Sequence, residues 1–237
     1  HQIEHVWIDL RHLSDYVHKV QIPEVSGFFK RFVNLEPQKD LCPVRPSNHY
    51  QMGGIPTDDC GVVEKAPGQT IPGLYAAGEC ACASFHGFNR LGTNSILELI
   101  TMGKFIGSAV AASLGNSGME PQADAGAQTL SQFQGYLDAK GRQNLESLRD
   151  ELRQMMTAKV GVFRHAQGLN QALDGLEQLK SRSTQAVLST RSLRMNQELV
   201  QRWEFDNLLA VAQTVAAGAI RRKETRGGHA RSDYPER

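Results

Sequence analysis

The feature that most constrains this chain is the glycine-punctuated stretch from His49 to Ser95. It places Gly53-Gly54, Gly73, Gly78, Gly87 and Gly92 beside His49, Glu79, His86 and Arg90. Glycine admits left-handed turns and lets backbone approach a ligand where a side chain would collide, so this stretch is suited to wrapping closely around a bound group. From about residue 122 glycine thins and apolar residues recur at helical spacing. The two halves call for an α/β part followed by an all-α part.

The 237 residues allow one large domain or two smaller ones, and the 26 Lys and Arg nearly balance the 25 Asp and Glu. No basic field favours nucleic acid, so a small or neutral partner is expected. Cys42, Cys60, Cys80 and Cys82 lack the paired spacing of a zinc site and read as ordinary thiols of a reducing compartment, Cys80-Ala81-Cys82 as packing. No apolar run approaches the ~18 residues of a spanning helix and no secretory pattern opens the sequence. The chain is expected to be soluble and able to dock on a membrane-bound partner.

Val6-Trp7-Ile8-Asp9-Leu10 alternates as a strand, and Val25, Phe28, Phe29 and Phe32 mark short helices. Cys42-Pro43-Val44-Arg45-Pro46 predicts an extended connection, a crossing between domains, because proline fixes its own φ and steers the preceding residue away from helix. Residues 49 to 78 carry turn signals such as Ala66-Pro67-Gly68-Gln69 and predict hairpins, with Leu74-Tyr75-Ala76-Ala77-Gly78 as a buried strand ending at a ligand. A helix follows, with Asn94 or Ser95 as its N-cap, closed by Gly115-Asn116-Ser117-Gly118. Leu169, Leu173, Leu176 and Leu179 line one face of a later helix. Leu199, Trp203, Leu208, Val211, Val215 and Ile220 give the expected buried stripe of the next, so this half reads as an antiparallel bundle.

A guanidinium can grip a carboxylate with two parallel hydrogen bonds, and Arg90 stands just before a helix start whose amides and dipole also favour negative charge. An acid at a strand end, here Glu79 after Gly78, is a common ribose ligand. His86 is expected to hold its loop through a backbone hydrogen bond. Gly103 and Gly107 are expected to pack closely against a sheet or cofactor, and Arg221-Arg222-Lys223 to form a solvated helix end.

In this order the residues resemble the flavoprotein subunits of succinate dehydrogenase and fumarate reductase, with L-aspartate oxidase as a close relative. The resemblance rests on His49-Tyr50-x-Met52-Gly53-Gly54-Ile55, Gly73-Leu74-Tyr75-x-x-Gly78-Glu79, His86-Gly87-x-Asn89-Arg90-Leu91-Gly92-x-Asn94-Ser95, and Glu224-Thr225-Arg226-Gly227-Gly228-His229-Ala230-Arg231-x-Asp233-Tyr234-Pro235-Glu236-Arg237. It implies the end of a capping domain over 1–48, the return of the chain into a Rossmann-like FAD-binding domain over 49–115, and a helical domain over 122–237. It further implies that His49 and Arg90 hold the carboxylates of a C4-dicarboxylate such as fumarate or succinate. Glu79 would bind the FAD ribose, and Asn94, Ser95 and Ile96 would form the helix start beneath the flavin. The implied partners are an iron–sulfur protein subunit and membrane anchor subunits, at the cytoplasmic side of the inner membrane.

The sequence holds no G-x-G-x-x-G fingerprint. The family's proton-transfer arginine is expected upstream of His1, and Arg11 does not replace it in the pattern. The chain therefore reads as an incomplete portion, and a non-catalytic fragment without cofactor stays open as an alternative. L-aspartate oxidase is the second alternative. Those enzymes usually show a Cys after His-Tyr-x and an Ala-Ser-Asn-Ser loop, where this chain has Met52 and Gly92-Thr93-Asn94-Ser95.

Overall fold

The computed structural model describes residues 5–45, 49–82, 84–114, 124 and 126–236. They form two compact units, His1–Gln51 and Met52–Arg237.

In the first unit, β1 (Val6–Ile8) leads to a helical segment in which α1 (Pro23–Phe28) is flanked by π-helical turns at Val17–Gln21 and Phe29–Val33. Pro23 opens α1, where its missing N–H costs nothing. Asn34, at φ 56°, ends the segment in a left-handed conformation. Buried His18 anchors it, with Nε2 3.0 Å from the Leu10 carbonyl and Nδ1 3.1 Å from Ser26 Oγ. The extended Cys42-Pro43-Val44 becomes β2 (Cys42–Val44), antiparallel to β1 with Trp7 opposite Pro43. Proline is tolerated there because the sheet has only two strands, leaving an open edge.

The second unit opens with β3 (Ile55–Pro56) and the hairpin β4 (Val62–Ala66) and β5 (Gln69–Tyr75), which turns at Pro67-Gly68 as the sequence predicts. Then come β6 (Ala81–Cys82), parallel to β3, and the 20-residue α2 (Asn94–Ser113). The strand predicted through Leu74 to Gly78 stops at Tyr75 and is largely exposed. Burial begins only beyond it, at Ala76 and Gly78. Closure of α2 at Gly115–Gly118 lies outside the described residues.

α2 is long and apolar enough to cross a membrane by length and composition alone, against the expectation that no run reaches that length. Its Ile96, Leu97, Leu99, Ile100 and Phe105 are exposed in this chain, while Glu98 and Ile106 are buried. Gly103 and Gly107 meet nothing within 4 Å, so the close packing expected there occurs instead at Ile106, which lies over Gly61.

The helical part comprises α3 (Ala127–Asp138), α4 (Leu145–Val160), β7 (Phe163–Arg164), α5 (Ala166–Ser183), α6 (Gln197–Arg221) and β8 (Ala230–Arg231), which pairs with β7 in parallel. Asn144 and Asn196 cap α4 and α6, accepting from the amides of Ser147 and Leu199. The core joins Leu148 and Leu152 of α4, Leu169, Leu176 and Leu179 of α5, and Phe205, Leu209, Ala212, Ala216 and Ala219 of α6. Each fully buried leucine contributes roughly 1.5–3 kcal/mol relative to exposure.

The buried stripe of α6 differs from the predicted one. Trp203, Leu208 and Val211 are exposed, and the inward face is Leu199, Phe205, Leu209 and three alanines. Polar and apolar residues are mixed around this helix, so hydrophobicity alone does not select a face. The alanines face the core because they let α6 approach its neighbours closely. Buried Arg202 lies on this face too, donating to Asp206 Oδ1 at 2.5 Å and to Ser183 Oγ at 3.2 Å. Asp206 also accepts the Tyr136 hydroxyl at 2.6 Å, tying α3 to α6. Burial and the neighbouring carboxylate push the Tyr136 phenol up to about 12.

Candidate functional site

The second unit gathers five of the six predicted site residues, Glu79, Arg90, Asn94, Ser95 and Ile96. His49 belongs to the first unit, where it is exposed beside buried Tyr50. Gly78 turns the chain after β5 with φ 76°, and a Cβ there would come within 2.6 Å of Leu99 Cδ2 on α2. Glycine therefore brings the strand end against the helix, and Glu79 follows as an exposed residue of a short 3₁₀ turn.

Two side-chain links tie the loop from His86 to Gly92 to α2. Arg90 Nη1 donates to Ser95 Oγ at 2.7 Å, which fixes the guanidinium at the first turn of the helix. His86 Nε2 lies 2.6 Å from Glu98 Oε2, with side chains only 8% and 3% exposed. His86 thus forms a buried side-chain pair with the helix. Glu98 was not among the residues singled out from the sequence. Its signal was there, since a lone carboxylate within Ile96-Leu97-Glu98-Leu99-Ile100 must find a partner if that face is covered.

The N-cap is Thr93, at φ 75° in the left-handed region, rather than Asn94 or Ser95. Ser95-x-x-Glu98 has capping-box spacing, but the Ser95 hydroxyl receives Arg90 and the Glu98 carboxylate receives His86. No side chain caps α2 and no acid lies in its first turn. Its positive dipole end is thus not neutralised by an acid of its own, unlike α4 and α6, which carry Glu146 and Glu198 in their first turns. A helix start of this kind, with an arginine attached, suits an electron-rich or anionic group. Exposed Glu79 offers an acceptor for hydroxyls, so these residues fit one wall of an FAD site.

The loop is also held from the C-terminal side. Arg226 Cζ stands 4.1 Å and Arg222 Cζ 5.0 Å from the Phe88 ring centroid. The basic run at the end of α6 is therefore not simply solvated. Arg222 also donates to Glu224 Oε1 at 2.6 Å, and its carbonyl accepts from His229 and Arg231.

His229 is buried, with Arg164 Nη1 2.9 Å from its Nδ1. A guanidinium can only donate, so Nδ1 accepts and Nε2 carries the proton toward the Arg222 carbonyl. Burial, with the surrounding arginines, holds this imidazole below its ordinary pKa. Arg11, in the first unit, is engaged by Asp9 at 2.9 Å. Among the described residues one group of metal-ligand types lies close together, Asp58, Asp59 and Cys60. Asp58 Oδ1 accepts the amides of Cys60 and Val62, which makes that group a turn.

Residues 1–96 match a family model described as an FAD binding domain, and residues 149–237 match one described as the fumarate reductase flavoprotein C-terminus. The succinate dehydrogenase flavoprotein subunit of Coxiella burnetii is 38% identical over 99% of this chain and 41% of its own length. The fumarate reductase flavoprotein subunit of a Serratia species is 36% identical over 96% and 38%. The chain spans about 40% of the length of these curated relatives. A structure of E. coli quinol fumarate reductase superposes with a TM-score of 0.87 at 32% identity, over 98% of this chain and 40% of that one. The cofactor indicated by these matches is FAD. The chain belongs to the family of succinate dehydrogenase and fumarate reductase flavoprotein subunits.

Proposed function

We propose that this chain is the portion of a succinate dehydrogenase or fumarate reductase flavoprotein that supplies carboxylate ligands and one wall of the FAD site. In this reading the protein interconverts fumarate and succinate. The observation that supports it most is Arg90 bonded to Ser95 at the acid-free first turn of α2. FAD, when bound, supplies a two-electron acceptor that exchanges hydride with the dicarboxylate carbon.

Arg90 holds a substrate carboxylate by charge-assisted hydrogen bonds, and His49 is the second carboxylate ligand carried over from the family pattern. Ser95 keeps the guanidinium in one orientation, so less conformational freedom is lost when substrate binds. The amide end of α2 at Asn94, Ser95 and Ile96 favours negative charge accumulating on the reduced cofactor, and Glu79 accepts from ribose hydroxyls. Residues 1–48 belong to the capping domain, 49–115 to a Rossmann-like FAD-binding domain and 122–237 to an antiparallel helical domain.

Electrons pass onward to an iron–sulfur subunit, and the assembly is held peripherally at the cytoplasmic side of the inner membrane through anchor subunits. Met52 and Gly92-Thr93-Asn94-Ser95 favour this over L-aspartate oxidase. Anaerobic titration of the FAD-loaded flavoprotein tests the reading. Succinate should bleach the flavin and fumarate restore it, with aspartate inert. Bleaching by aspartate in place of succinate replaces this reading with the oxidase.

A further inference from the structure

The loop that carries Arg90 is pinned from two directions. On one side His86 meets buried Glu98 of α2 at 2.6 Å. On the other, the Phe88 ring lies under Arg226 and Arg222, and Gly227 lies close to the Phe88 Cβ and carbonyl. Gly227 has φ 58°, and a Cβ there would stand 2.8 Å from both Phe88 Cβ and the Phe88 carbonyl oxygen. The approach is thus possible only for glycine, by backbone conformation and by space.

The segment that presses on Phe88 is itself anchored. Arg231, 2% exposed, donates to the carbonyls of Ala219, Ile220 and Arg222, and Arg226 pairs with His229 through both backbone hydrogen bonds. A continuous path of close contacts therefore runs from the end of α6, through residues 222–229, to Phe88 and so to Arg90 two residues on.

We propose that Phe88 and Glu98 are positioning residues for the dicarboxylate: they hold the 86–92 loop so that Arg90 meets the substrate carboxylate, and the C-terminal segment exerts its effect on the site through Phe88. The inference rests on Arg90 being a carboxylate ligand. Two fixed points, His86 and Phe88, stand four and two residues before Arg90 in the same loop, and Ser95 orients its guanidinium. Releasing either point leaves Arg90 chemically intact and displaces it, and a displacement of about 1 Å at a binding group costs up to 10²-fold.

The test is a double-mutant cycle in the complete FAD-loaded flavoprotein with its partner subunits, reading KM and kcat for fumarate alongside flavin content. Phe88→Ala should raise KM roughly 10-fold or more with flavin content unchanged, Phe88→Tyr should restore it, and Glu98→Gln should act in the same direction. In an Arg90→Ala background Phe88→Ala should add nothing, which a general folding defect would not reproduce. Arg226→Gln, which leaves the core untouched, should give a smaller rise and serves if Phe88→Ala fails to assemble. An unchanged KM in Phe88→Ala, or in Arg226→Gln where that variant stands in, or an equal loss with and without Arg90, overturns the proposal. A wild-type KM in Arg90→Ala alone overturns instead the reading of Arg90 as the ligand.

Discussion

Arg231 grips Asp233 through two parallel hydrogen bonds of 2.7 Å, and the pair joins the end of one core helix to the start of another. The guanidinium reaches the last carbonyls of α6, while Asp233 Oδ2 accepts the amide of Ala166, the first residue of α5. A cation at a helix C-terminus and an anion at an N-terminus both suit the local dipoles. Arg231→Met should lower stability by about 1–3 kcal/mol, the order expected when buried carbonyls lose their donor, read from denaturant midpoints. A change below about 0.5 kcal/mol, ordinary for surface sites, would contradict the clip.

Acid should lower the stability of the helical part over two pH ranges. His229 and Asp233 both have folded pKa values below their ordinary ones, His229 chiefly through burial and Asp233 chiefly through its hydrogen bonds to Arg231. Each therefore adds stability that is present above its unfolded pKa and lost as pH falls. The His229 contribution declines below about pH 6.5 and that of Asp233 below about pH 4. Thermal midpoints measured from pH 8 downward should show both declines, and His229→Gln should abolish the first. An unchanged slope near pH 6 in His229→Gln excludes this origin.

The orientation of α6 is open to direct test. Phe205→Ala should cost about 3–5 kcal/mol and Ala212→Leu about 1–3 kcal/mol through overpacking. Val211→Ala, on the exposed face, should stay within about 0.5 kcal/mol. The opposite ranking by chemical denaturation would restore the stripe predicted from hydrophobicity.

Much of this architecture was legible in the sequence. The Pro67-Gly68 hairpin, the extended Cys42-Pro43-Val44 and the Leu169, Leu176 and Leu179 face of α5 follow from local turn chemistry and periodicity, and the structure has them. What periodicity could not resolve was α6, where alanines share the core face with Leu199, Phe205 and Leu209 while Trp203, Leu208 and Val211 stay exposed. The site was legible as motifs but not as a network. Glu98, Phe88 and Arg226 acquire meaning only through pairing with residues 12 or more positions away. Ser95 reads as a cap from its residue type and its place at the helix start, whereas its hydroxyl receives Arg90 from the preceding loop.

Thr93 holds φ 75° without a capping hydrogen bond from its side chain. A β-branched residue there is strained by about 1–2 kcal/mol. Thr93→Gly should raise the thermal midpoint by an amount equivalent to about 1 kcal/mol. A lower midpoint would mean that the threonine side chain stabilises the turn.

The central claim is that Arg90, held by Ser95 at the start of α2, binds a carboxylate of the substrate. Its most direct test is the dissociation constant of a C4-dicarboxylate for the FAD-loaded flavoprotein, measured by the flavin difference spectrum, in wild type and Arg90→Ala. Loss of a charge-assisted pair predicts weakening by about 2–3 kcal/mol, or roughly 30- to 150-fold, with flavin content unchanged. Wild-type affinity in Arg90→Ala would contradict the account.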